Sequence, residues 1–150
     1  MTLTVVKRNG NREPLNLDKF HRVTMWACEG LSTVSASEIQ MRSQIQFYNG
    51  MKTSEIQETL IKAAADLISE DAPGYQYVAG RLVNYHLRKE VYGEHEPKPL
   101  WEHYHDVLQA GYYTSDYITG DNPYSIKDFI ELGTYIKHDR DFDIAYAGME

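Results

Sequence analysis

The chemistry open to this chain starts with its cations. Lys7, Arg8, Arg12, Lys19 and Arg22 crowd into the stretch VVKRNGNREPLNLDKFHRV, opposed there by Glu13 and Asp18, so residues 1–23 carry net charge +3. The whole chain stands at −7, which leaves −10 on the other 127 residues. A concentrated positive end on an acidic body suits capture of a small anion better than of a long nucleic acid. A triphosphate needs several such cations, because one lysine–phosphate contact near a surface is worth only about 4 kcal/mol before desolvation. Lys7 and Arg8 on a strand, Lys19 at a helix start and Lys89 on a later helix could converge on it. The helix start would add free amides, and Glu13 and Asn16 could read a base or a ribose hydroxyl. The same charges also suit a solvated hairpin, so spacing alone leaves both readings open.

No catalytic constellation and no metal site stands beside this cluster. His103 and His105 are two apart, which puts them on different faces of a helix. The tetrapeptide HDRD at 138–141 has the letters of a kinase catalytic loop but lacks the glycine-rich loop and the Asp-Phe-Gly that go with it. The single cysteine, Cys28, excludes an internal disulfide and a multi-cysteine metal site, and it reads as a buried structural thiol beside Trp26. Neither a Walker loop nor a GxGxxG fingerprint is present.

The elements that must position the cations follow from periodicity. Residues 3–7 are β-branched and short, Asn9-Gly10 supplies a tight turn, and Arg12 to Leu15 can return as a second strand. Asp18 is the expected N-cap of a first helix carrying Phe20, Val23, Trp26 and Ala27, ended by Gly30. Ser35 and Glu38 read as a capping box opening a second helix, with Ile39 and Ile45 on one face and Asn49-Gly50 stopping it. Thr53 is expected to cap a third helix striped by Ile56, Leu60, Ala64, Leu67 and Ile68. Pro73-Gly74 opens a fourth, with Val78, Leu82, Tyr85 and Lys89 on one side and Gly93 at its end.

After Gly93 the prolines of EHEPKPL mark a linker, and the charge changes. Residues 1–93 sum to +1, whereas residues 94–150 sum to −8. The second segment offers helices near Leu100–Ala110 and from Ser125 to about Ile136. It closes on DFDIAYAG, whose apolar residues alternate as in a strand with one buried face. A lone strand needs partners, so the expectation is a domain that begins here and is left unfinished.

With 42% hydrophobic and 25% charged residues the composition is that of a soluble globular protein. No apolar run approaches the roughly 20 residues that span a bilayer, and MTLTVVKRNG is not built like a secretory signal. These features favour the cytoplasm and no membrane partner, and the acidic pI near 5.3 argues against duplex DNA as a partner.

Four segments, VVKRNGNREPLNLDKFHRV, GMKTSEIQETLIKAAADLIS, DAPGYQYVAGRLVNYHLRKEVYG and DRDFDIAYAG, together resemble the N-terminal region of the large (alpha) subunit of class I ribonucleotide reductase, of the bacterial and phage type. The resemblance covers nearly the whole chain. It implies a mainly α fold with a small β-sheet: a four-helix ATP-cone bundle capped by an N-terminal hairpin over residues 1–93. Residues 94–150 would be linker helices and the first strand of the reductase barrel.

By resemblance the cone is the overall-activity site, where ATP or dATP, accompanied by Mg, would act as allosteric effectors. The matching positions are Lys7, the run Glu13, Pro14, Leu15, Asn16, Leu17, Asp18 and Lys19, then Thr53 and Lys89, with Val5, Arg8, Phe20 and Gln57 beside them. The lysines would hold phosphates, Glu13 and Asn16 the adenine, and Thr53 the ribose or phosphate end. Gln57 stands where similar enzymes carry a histidine, and Tyr85 where they carry a phenylalanine.

The family's radical chemistry needs several cysteines, so one cysteine implies an isolated piece, either a fragment or a split-gene product. Its implied partners are the remainder of the alpha chain and the radical-generating beta subunit, in an oligomer. Two alternatives differ in class. Free-standing cone repressors pair the cone with a zinc ribbon, and no CxxC pair is present here. A helical interaction module with a decayed site would not need to retain Lys7, Glu13, Asn16, Lys19, Thr53 and Lys89.

Overall fold

The structure is a computed structural model that describes residues 3–119 and 123–149. Strands β1 (Thr4–Val6) and β2 (Arg12–Pro14) form the expected hairpin, antiparallel with Val5 opposite Glu13. Gly10 takes a φ of 84°, and its amide donates to the Lys7 carbonyl at 2.9 Å, closing the turn. A two-residue strand, β3 (Met51–Lys52), adds to the other side of β1 in parallel, giving the order β2-β1-β3. Its cue lies in Asn49-Gly50, read above as a simple stop. The Asn49 Oδ1 accepts from the Thr4 amide at 3.0 Å, and the Gly50 amide donates to the Thr4 carbonyl at 2.7 Å. Thus the loop pins the chain onto the edge of β1.

Four helices follow the expected order: α1 (Leu17–Cys28), α2 (Ala36–Gln44), α3 (Thr53–Ala65) and α4 (Tyr75–Tyr92). Their apolar stripes meet in one core with Val5, Phe20, Ile39, Met51, Ile56, Leu60, Val78 and Leu82 buried. Four local expectations are corrected. Asn16, and not Asp18, caps α1, its Oδ1 accepting from the Lys19 amide at 2.8 Å. Asp18 falls in the first turn, where its charge still suits the helix dipole. Thr53 opens α3 rather than capping it, and the Glu55 carboxylate accepts from the Lys52 amide at 2.8 Å.

The Ser35 box is half made. Its hydroxyl accepts from the Glu38 amide, but the Ser35 amide donates to the Tyr75 hydroxyl at 2.9 Å instead of to Glu38. Ile45 is 84% exposed because α2 stops at Gln44, before the turn that would have brought it under.

Beyond Gly93, which ends α4 at a φ of 77°, come α5 (Leu100–Gln109), α6 (Asp116–Thr119) and α7 (Ile126–Thr134). The barrel strand expected at DFDIAYAG is absent. A 3-10 helix (His138–Asp143) and α8 (Tyr146–Met149) stand there. Over so short a run an alternating pattern also satisfies i,i+4 spacing. Phe142 packs on Trp26 and Tyr146 against the core, and the segment lies along α4. The Ile144 carbonyl comes so near Gly80 that a Cβ there would sit 2.2 Å away. The Arg88 guanidinium donates to the His138 carbonyl at 2.6 Å and to the Asp141 carboxylate at 3.0 Å. Helical neighbours, rather than missing strands, take up this segment.

Candidate functional site

A cavity of about 350 Å³ opens between the hairpin, the first turns of α1 and α3, and the last turns of α4. That volume lies in the range of small-molecule sites. Strand and turn contribute Val5, Lys7, Arg8, Asn9 and Glu13; the β2–α1 link contributes Leu15 and Asn16. From the helices come Lys19, Phe20 and Val23 on α1, Thr53, Ile56 and Gln57 on α3, and Tyr85 and Lys89 on α4. The four cations expected to converge therefore share one wall space, brought there by the hairpin and α1, which are neighbours in sequence, and by the distant α4.

Three of the residues expected at the site do not line this cavity. Pro14, Leu17 and Asp18 line a separate recess with Glu13, Leu15 and Asn16. The run 13–19 changes from strand to helix, so its side chains divide between two sides. Conversely, Asn9, Val23, Ile56 and Gly93 line the cavity without having been singled out. Val23 and Ile56 each follow a named residue, Phe20 or Thr53, by three positions, which is one helical turn. That spacing was the available signal.

The cations differ in how free they are. Lys7 pairs with Glu13 at 3.3 Å, and the Arg8 Nε donates to Glu90 at 2.9 Å. Among the described residues Lys19 and Lys89 have no ion pair. Lys89 lies with its Nζ 4.8 Å from the centre of the Tyr85 ring. Burial pushes the Lys89 amine below its ordinary value, and the neighbouring Arg8 and Lys7 push it the same way. Burial raises the Tyr85 hydroxyl, partly offset by Lys19, Arg8 and Arg22. Such crowding of cations, two of them without an ion pair among the described residues, against a partly desolvated wall is the electrostatic condition for holding an anion. A neutral residue of the same wall, Gln57, has its Oε1 buried without a hydrogen-bond partner. Leaving a buried acceptor unpaired is costly.

These features define an ATP cone, and the chain belongs to that family, matching the ATP cone domain over residues 3–90. It therefore carries a nucleotide-binding allosteric domain. The similarity extends past the cone. The chain is 50% identical over 148 residues to the ribonucleoside-diphosphate reductase 1 subunit alpha of Escherichia coli K12, across 99% of this chain and 19% of that protein. It is 45% identical over 149 residues to the subunit alpha of Haemophilus influenzae, and 36% identical over 146 residues to that of Enterobacteria phage T4. The matched part is the N-terminal region of those subunits. The chain thus spans about a fifth of the length of these curated relatives, with 19% covered in each case. No helix among the described residues is long and apolar enough to cross a membrane.

Proposed function

We propose that this chain is the effector-binding, activity-regulating part of a ribonucleoside-diphosphate reductase alpha subunit, and that ATP or dATP occupies the hairpin cavity. The observation that carries the reading is the meeting of Lys7, Lys19 and Lys89 around one cavity whose wall also includes Gln57. The lysines hold phosphates, with Arg8 behind them and Mg accompanying the phosphate oxygens. Glu13, Asn16 and the adjoining backbone face the adenine, and Thr53 supports the ribose or phosphate end. Gln57 stands in the same wall, which makes it a point where ribose and deoxyribose can be told apart.

The reduction itself belongs to the remainder of the alpha polypeptide with the beta subunit, as an oligomer in the cytoplasm. Tyr112 just after α5, Ile126 and Leu132 on α7 and Tyr135 at its end leave apolar surface for that remainder to cover. Titration calorimetry of this chain with ATP and with dATP tests the core of the reading. Binding of both, with no reductase activity, is the expected result. No heat of binding for either nucleotide at millimolar concentration would overturn it.

A further inference from the structure

We infer that Phe142 is a positioning residue of the nucleotide cavity, acting through His95 on Tyr85, so that the cavity and segment 138–149 respond to one another. The inference rests on the cavity taking an adenine nucleotide, as proposed above.

An unbroken stack of rings joins the two places. Tyr85 forms part of the cavity wall. Its ring centre is 4.8 Å from that of His95, and His95 lies stacked on Phe142 at 5.9 Å with 24° between the planes. Trp26 closes the cluster, 5.9 Å from Tyr85, 5.3 Å from His95 and 5.1 Å from Phe142. Two adjacent α4 cations flank the stack at its ends. Lys89 lies over Tyr85 on the cavity side, and Arg88 lies over Phe142 at 4.4 Å while binding His138 and Asp141.

His95 is the middle member, in contact with Tyr85, Trp26 and Phe142. Its Nδ1 is buried without a hydrogen-bond partner, so ring packing rather than a hydrogen bond holds the imidazole. Packed aromatic clusters do not deform smoothly; they change between discrete arrangements. Removing the Phe142 ring leaves space that His95 and then Tyr85 can enter, and Lys89 loses its platform beside the phosphates. The coupling is reciprocal by thermodynamic necessity. A nucleotide that fixes Tyr85 and Lys89 must therefore also steady segment 138–149.

The test compares the whole chain with its Phe142→Ala, Phe142→Tyr and His95→Leu variants. ATP affinity is read by calorimetry, and amide exchange of residues 138–149 is read with and without saturating ATP. ATP is expected to slow exchange of that segment in the unaltered chain. Phe142→Ala and His95→Leu are expected to weaken ATP binding by about fivefold or more and to remove the ATP-dependent change, the lower end of typical site-to-site coupling. Phe142→Tyr, which keeps the ring, should restore both. A structural role alone would lower stability without moving ATP affinity or the ATP-dependent exchange. Exchange that is identical with and without bound ATP, in the unaltered chain, overturns the inference whatever the variants do. ATP binding left intact in the folded Phe142→Ala protein overturns it as well, while the reading of the cavity stands. Absence of ATP binding by the unaltered chain overturns both.

Discussion

Lys89 is where charge, burial and ligand meet most directly. Burial, and then Arg8 and Lys7, disfavour its ammonium, while a phosphate would favour it. Lys89→Ala or Lys7→Ala should weaken ATP binding by about 1–3 kcal/mol, as loss of a charge-assisted contact does. Calorimetric affinities decide it, and unchanged values in both variants would move the phosphates elsewhere. The sign of the pH effect follows too. In alkaline buffers below the ordinary lysine value of 10.5, ATP binding should take up protons, seen as binding heats that vary with the buffer's ionisation enthalpy.

His95 gives a second pH signature. Burial lowers its pKa below the ordinary 6.5; Glu96 opposes that, and Arg88 and Lys89 add to it. A depressed folded-state pKa means that the unfolded chain takes up the proton first. Stability is therefore full above 6.5 and is lost as pH falls from there towards the folded-state value. Thermal midpoints measured from neutral pH down to about pH 5 should fall less steeply in His95→Phe than in the unaltered chain.

At the scale of elements, Asn16 has two duties, capping α1 and lining the cavity. Asn16→Ala should cost about 1 kcal/mol of stability, as loss of an N-cap does. Asn16→Asp should keep the cap, and chemical denaturation of the two variants separates them. Gly80 tests how segment 138–149 is seated on α4. A Cβ there meets the Ile144 carbonyl oxygen at 2.2 Å and the Ala145 carbonyl carbon at 3.2 Å, both backbone atoms that cannot rotate aside. Gly80→Ala should therefore lift the segment, destabilising the chain by about 1–3 kcal/mol, the range of overpacked sites. Amide exchange of 138–149 should quicken in that variant. Exchange as slow as in the unaltered chain would mean that the segment accommodates the methyl without moving.

Across the whole molecule, the buried core from Val5 to Tyr85 lies within the first 93 residues. We propose on that ground that residues 1–95 fold by themselves, with the boundary just after Gly93. The 3-10 helix and α8 nonetheless cover a stripe of α4 that includes Gly80 and the buried Arg88. A chain ending at residue 95 should keep a cooperative thermal transition, at a lower midpoint than the full chain. Loss of cooperativity would place the end of the folding unit beyond Gly93.

The sequence by itself determined whatever depends on neighbours along the chain. Asn9-Gly10 dictated the hairpin because its turn needs a residue at positive φ, and the 3.6-residue stripes placed α1, α3 and α4 because one face of each must leave water. Most of the cation cluster was legible for the same reason: Lys7, Arg8 and Lys19 are close in sequence, whereas Lys89, on a later helix, was a candidate that the resemblance then matched. Contacts between distant segments were decided only by tertiary structure. Two residues cannot announce a strand, so β3 exists because Asn49 and Gly50 bind Thr4. Tyr75 took the Ser35 amide from Glu38 because packing brought its hydroxyl there. DFDIAYAG carried a pattern compatible with a strand or a short helix, and the α4 surface chose the helix. The division of residues 13–19 between two recesses was equally invisible in order along the chain, since it depends on where the backbone turns from β2 into α1.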